Sequence, residues 1–193
     1  MRWSKGQQDI LSTIIISGIL IGVVGSVYLW GVPLIQKNQD ISTLRTAEDL
    51  MREINDKIKF VANNGGKDRV RIAVPGILST DNGQLTLAVD TQGTIYAAEA
   101  DVPLGENECA TTNGVWGQDD SSVFCVTSHK VGDAKYRTTY TLRYIPLTVS
   151  ALRTFKIDVG GTAIGGQDRT LAIEHAGTTE GPVTTALIRL DIV

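Results

Sequence analysis

The chain has few residues of the kinds that build catalytic and cofactor sites. It contains two cysteines, two histidines and three phenylalanines in 193 residues. It lacks the Gly-x-Ser-x-Gly nucleophile elbow, the phosphate-binding loop, the dinucleotide fingerprint and the haem-attachment motif. The 18 basic and 21 acidic residues form no Lys/Arg cluster, so nucleic-acid binding is not expected. We therefore expect a protein that is not an enzyme and uses no cofactor.

The cysteines and histidines do not indicate a metal site. Cys109, Cys125, His129 and His175 do not form the two close ligand pairs typical of zinc proteins. The acidic residues of segment 106–120 lack the spacing of an EF-hand loop, so they favour a solvated acidic loop over a calcium site. We expect His175, on the apolar face of a predicted strand, to be buried and hydrogen-bonded, and His129, near a turn, to be exposed.

Charge is also missing from one long stretch, which runs from Ile10 to Ile35. Its 26 residues would form a helix of ~39 Å at a rise of ~1.5 Å per residue, longer than the ~30 Å hydrocarbon core of a bilayer. Tyr28 and Trp30 suit the membrane interface, and Pro33 should kink or locally loosen the helix. The stretch therefore predicts a membrane-spanning helix.

The short basic leader before this stretch allows three interpretations. A secretory signal peptide has an apolar region of about 7–15 residues and a small-residue cleavage site, whereas no alanine precedes Ala47. A permanent signal anchor would keep Arg2 and Lys5 in the cytoplasm by the positive-inside rule. The third interpretation is a leader that is cut before the apolar helix.

Residues Ser4-Lys5-Gly6-Gln7-Gln8-Asp9, directly before the apolar helix, resemble the class III signal peptide of archaeal type IV pilins. The resemblance covers residues 1–62 by motif and the rest by architecture. It implies that a prepilin-type peptidase cuts between Gly6 and Gln7, leaving the helix at the new N-terminus. Bacterial type IV pilins carry an acidic residue at the fifth mature position, whereas Asp9 would be the third.

The resemblance also implies partners and a location. The precursor would sit in the cytoplasmic membrane with its N-terminus in the cytoplasm. A pilus assembly ATPase and a membrane platform protein would then add it to an extracellular homopolymer. Archaellum subunits share this layout, but the Ile-rich helix with Trp30-Gly31-Val32-Pro33 favours an adhesive pilus. A monomeric, membrane-anchored surface protein remains the alternative from another class.

Small residues recur along the apolar helix. Gly18 and Gly22 form a Gly-x-x-x-Gly pair, and Gly25 and Gly31 follow. Such a pair lets two helices approach closely, although glycine is also common in membrane helices in general. We expect six residues to act in assembly: Gln7, Asp9, Gly18, Gly22, Gly25 and Pro33.

Beyond Lys37 the helical pattern becomes amphipathic and continues to residue 62. Two series of apolar residues recur every seven positions: Leu44, Met51 and Ile58, and Ala47, Ile54 and Val61. The stripe could pack on the protein's own β domain, which is the favoured interpretation, or partly on neighbouring subunits. Asn63-Asn64-Gly65-Gly66 is expected to end the helix.

Residues 67–193 alternate with a period of two and contain frequent turn signals, which predicts some eight strands. Asp81-Asn82-Gly83 is a strong hairpin signal, and segment 94–100 is one of the predicted strands. The expected fold class is α+β, with leader 1–6, helix 7–62 and an antiparallel, Ig-like β-sandwich over 67–193. Cys109 and Cys125, both on the exported side, are expected to form a disulfide.

Overall fold

The computed structural model describes the backbone of residues 5–133, 135–161 and 164–193, and the side chains of these ranges from residue 12 onward. Within them the chain forms one long helix, α1 (Lys5–Asn64), followed by two β-sheets, so the fold class is α+β. The strands are β1 (Lys67–Arg71), β2 (Ile77–Asp81), β3 (Gln84–Thr91), β4 (Asp101–Pro103), β5 (Gly114–Val115), β6 (Ser122–Gly132), β7 (Lys135–Tyr144), β8 (Leu147–Ser150), β9 (Arg153–Gly161), β10 (Ile164–Gly165), β11 (Thr170–Thr179) and β12 (Val183–Ile192).

The described residues divide into two compact units, one that ends at Gln39 and one that starts at Asp40. We call the second one the head unit. Helix α1 contributes to both, because its amphipathic part falls in the head unit together with all the strands.

The amphipathic stripe of α1 lies in the core of the head unit. Six residues of the two predicted series are at most 1% exposed, and they join the strand residues in one apolar cluster: Leu44, Ala47, Met51, Ile54, Ile58 and Val61. The interpretation that this stripe packs on the protein's own β domain is therefore confirmed. Burying a valine, leucine, isoleucine or methionine side chain contributes about 1.5–3 kcal/mol.

Two predicted chain reversals form as the sequence indicates. Gly65, with φ of 72°, donates its backbone N–H to the Val61 carbonyl at 2.8 Å and ends α1 as a left-handed cap. Asn82 and Gly83, with φ of 50° and 76°, form the two-residue loop between β2 and β3. Positive φ at both central positions is what a tight hairpin requires.

Each sheet has six strands within the described part of the chain. The first sheet has the order β1-β11-β12-β9-β8-β5 and the second has the order β10-β2-β3-β7-β6-β4. Most neighbouring strands are antiparallel, but β9 with β12 and β5 with β8 run parallel. The expectation of antiparallel strands alone was therefore wrong at these two pairs, because alternation fixes which face of a strand is buried and not which strand lies beside it.

The strand predicted for segment 94–100 does not form. Its one bridge joins Ala98 to Ser128, and Glu99 has φ of 62°, which breaks the extended backbone. The edge of β6 is instead paired with β4, from residue 101.

His175 also differs from the expectation, because it is only partly buried. The pairing register of β11 shifts between His175 and Gly177. A bulge of this kind turns side chains away from the regular alternation. The expected hydrogen bond is nevertheless present, because His175 Nε2 lies 3.2 Å from the Thr178 hydroxyl.

A second, smaller core lies beside the predicted disulfide. Cys109 and Cys125 are bonded, and their Cα atoms are 5.9 Å apart. Val123, Ile145 and Leu147 are buried with Cys125 in this cluster, and Cys109 packs against it. The bond thus fastens the polar loop before β6 to the strand itself.

Candidate assembly segment

Residues 12–35 of α1, here called the apolar segment, are apolar and exposed at the same time. Ile14 is 66% exposed and Trp30 is 86% exposed. None of residues 12–35 is buried. Length and composition make this helix able to cross a membrane. In water, each exposed large side chain forgoes about 1.5–3 kcal/mol of burial free energy, so the segment needs lipid or another apolar surface.

The three predicted glycines lie together on one face of the apolar segment. Gly18, Gly22 and Gly25 fall within about 60° of arc at ~100° per residue. A Cβ atom added at any of them would meet no heavy atom within 4 Å. Packing of the described chain therefore does not require these glycines, and the face is open to another helix.

Ser26 and Pro33 also lie in the apolar segment, and each affects the hydrogen bonding of the helix backbone. The Ser26 hydroxyl donates a hydrogen bond to the Gly22 carbonyl at 2.8 Å, so the serine is satisfied within its own helix. The helical backbone continues through Pro33, whose ring nitrogen has no hydrogen to donate.

The predicted processing site precedes this segment. Within the described backbone, α1 (Lys5–Asn64) includes Gly6, Gln7 and Asp9. The side chains of these residues lie outside the described part of the structure.

The amphipathic part of α1 is held to β7 by a tyrosine pair. The fully buried Tyr140 donates its hydroxyl to the Leu44 carbonyl at 2.7 Å. Tyr96 donates to Glu48 Oε2 at 3.0 Å, and the two tyrosine hydroxyls are 3.2 Å apart. Burial, reinforced by the Glu48 carboxylate, raises the pKa of Tyr96 to about 12 despite the bond to Tyr140. Burial and Tyr96 also raise the pKa of Tyr140, so both hydroxyls remain neutral donors.

Two lysines attach the last turns of the helix to the strand region. Lys57 Nζ lies 3.0 Å from Asp68 Oδ1, and Lys59 Nζ lies 2.6 Å from Asp120 Oδ1. The Arg69 backbone N–H and then Lys57 lower the pKa of Asp68. Burial alone would raise the pKa of Asp120, but hydrogen bonds from Lys59 and Ser122 outweigh it and hold the pKa below its ordinary value.

The contact of Tyr96 and Tyr140 with α1 was not predicted from the sequence. In the sequence, Tyr140 alternates with polar residues and shares one face with Leu142 and Tyr144, and a buried tyrosine needs a hydrogen-bond partner. That signal predicts a bond without naming the Leu44 carbonyl, which is 96 positions away.

The histidines and acidic residues considered for a metal site form no such site within the described ranges. His129 Nδ1 lies 2.7 Å from Glu99 Oε2 at an exposed site, as its expected position near a turn suggests. No group of three or more His, Cys, Asp or Glu residues that could hold a metal ion occurs within the described ranges. Comparison of the chain with protein-family models, with curated protein sequences and with solved structures gives no match.

Proposed function

We propose that this protein is a non-enzymatic structural subunit of an extracellular filament that resembles an archaeal type IV pilus and serves adhesion. The observation that carries the proposal is the apolar segment, none of whose residues is buried, joined to a head unit whose core contains none of its residues. A helix of this composition is stable in lipid before assembly and against identical helices afterwards.

The proposal extends to the head and to the processing site. The head unit would be an Ig-like β-sandwich, which its two sheets and their shared core support. A prepilin-type peptidase would cut between Gly6 and Gln7. The assembly ATPase and platform protein would then drive extraction from the membrane, because leaving lipid for other apolar helices gives little hydrophobic gain.

Asp9 would be buried near the start of the helix in the polymer, where an unpaired carboxylate is costly. The new α-amino group of Gln7, from the same or a neighbouring chain, is its natural partner. We expect Asp9→Ala to be exported normally and to form no filaments. Normal filaments from this variant would refute the pairing.

The filament proposal is tested by intact-mass and N-terminal peptide analysis of material sheared from cells. A chain that starts at Gln7 in sheared, high-molecular-weight material is the expected result. A chain that starts at Met1 and remains in the detergent-solubilised membrane would overturn the proposal and indicate a membrane-anchored, monomeric surface protein.

A further inference from the structure

A cavity in the head unit, separate from the apolar segment, opens between the end of α1 and the strands. Its volume is about 300 Å³, at the small end of the range for ligand pockets. Lys59 and Asn63 line it from the helix, Asp119 and Asp120 from a loop, and Leu147 and Ile157 from two strands of the first sheet.

Two aromatic rings face this cavity. The Trp116 ring packs edge-to-face against Phe155, with ring centroids 5.0 Å apart and an interplanar angle of 78°. Trp116 is 47% exposed, an unusual state for a residue that is highly buried on average. Its backbone N–H donates to the Thr148 carbonyl at 3.0 Å, so the ring is held at the cavity by the sheet.

The cavity has an apolar floor and a polar rim. Leu147, Phe155 and Ile157 supply the floor. Asn63 contributes an exposed amide that both donates and accepts hydrogen bonds. Lys59 adds a further donor and Asp119 an acceptor.

The charges at the rim of the cavity restrict the net charge of a ligand that could bind there. One lysine and two aspartates give a formal charge of −1, and the lysine is already paired with Asp120 at 2.6 Å. An acidic ligand would be repelled. A simple cation would use neither the Asn63 amide N–H as a donor nor the apolar floor of the cavity.

We propose that this cavity, lined by Trp116, Phe155, Asn63 and Asp119, binds a neutral pyranose sugar. One face of a pyranose is a patch of C–H groups that packs on an aromatic ring, and its hydroxyls both donate and accept hydrogen bonds. The apolar floor and the mixed rim match these two properties. Sugar binding does not require polymerisation, but its role in adhesion rests on the proposed filament function.

The test uses the full chain in a polyoxyethylene detergent, which carries neither a sugar nor a quaternary amine. The probes are glucose, galactose, mannose and N-acetylglucosamine, with choline and glucuronate as charged competitors. Titration calorimetry and saturation-transfer difference NMR should detect at least one neutral sugar with a Kd on the order of 1 mM. Trp116→Ala should weaken that binding at least tenfold, and Asn63→Ala should weaken it several-fold.

The control is Val131→Ala, which removes a half-exposed side chain from the far end of β6 and should leave the Kd unchanged. Asn63→Ala also protects the test if Trp116→Ala fails to fold. Three results would overturn the proposal: no binding of any neutral sugar, wild-type affinity for the sugar in both cavity variants, or tighter binding of choline or glucuronate than of any neutral sugar. Because the assay uses unpolymerised protein, such a result would leave the filament proposal standing.

Discussion

Substituting Gly22 with leucine should separate folding from assembly. Beyond the neighbouring backbone of its own helix, a Cβ atom added at Gly22 meets no heavy atom of the described chain within 4 Å, and leucine favours a helix over glycine by about 0.5–1 kcal/mol. The unassembled subunit should therefore be at least as stable as the wild type. In a polymer built through close approach of the glycine face, the same side chain would overpack the interface at a cost of about 1–3 kcal/mol. That cost corresponds to a roughly 5- to 150-fold weaker association per subunit.

The measurement compares the amount of subunit in sheared filaments with the amount retained in membranes. Gly31→Leu is the matched control, since Gly31 also has open space around it but lies about 180° from Gly22 at ~100° per residue. We expect Gly22→Leu to accumulate in membranes and Gly31→Leu to polymerise. Wild-type filament yield from Gly22→Leu, or an equal loss from both variants, would refute the reasoning.

Three further predictions concern the head unit. Replacing Cys109 and Cys125 with serine opens a loop of sequence separation 16 and should cost about 3 kcal/mol; thermal unfolding monitored by circular dichroism checks this, and an unchanged midpoint contradicts it. Folding lowers the pKa of Asp120 below its ordinary value of 3.8. The ionised carboxylate therefore stabilises the folded state fully above pH 3.8, and this stabilisation is lost as the pH falls through the pKa of the folded state. Lys59→Gln should therefore flatten the acid limb of the stability curve, and a limb that keeps the wild-type slope would contradict the assignment. Tyr140→Phe removes the 2.7 Å bond to Leu44 and should cost about 1–2 kcal/mol in urea unfolding, whereas an unchanged midpoint would show that the bond contributes nothing.

The parts of the fold that could be predicted from the sequence are those that depend on neighbouring residues. The heptad series of α1 and the cap at Gly65 need only the periodicity and turn chemistry of a short segment. The same holds for the Asn82-Gly83 hairpin, where local conformational preference and the final fold agree.

The parts that could not be predicted depend on partners far away in sequence. β9 and β12 lie side by side and parallel, although β10 and β11 separate them along the chain. A run of alternating residues is compatible with many neighbours and both directions. The bulge at His175 escaped prediction for a related reason, since it arises from the pairing of β11 with β12.

The candidate sites show the same limit. The apolar segment is recognisable because a long uncharged stretch has few physical explanations. The cavity beside Trp116 combines residues between positions 59 and 157, and no spacing in the sequence links them. A lone tryptophan in a polar, glycine-containing loop was the available signal, since such a ring gains little from exposure to water.

The distribution of the core residues gives the head unit independence from the fate of the apolar segment. Every residue of both apolar clusters lies at position 44 or beyond within the described ranges. The proposed transfer of residues 12–35 from lipid into a helical polymer would therefore disturb none of the core contacts that hold the sheets together. Substitutions on the glycine face should accordingly change polymerisation without changing head stability, whereas Tyr140→Phe should lower head stability whether or not the chain has assembled. Measuring filament yield and head-unit stability on both Gly22→Leu and Tyr140→Phe tests whether polymerisation and head-unit folding depend on separate parts of α1.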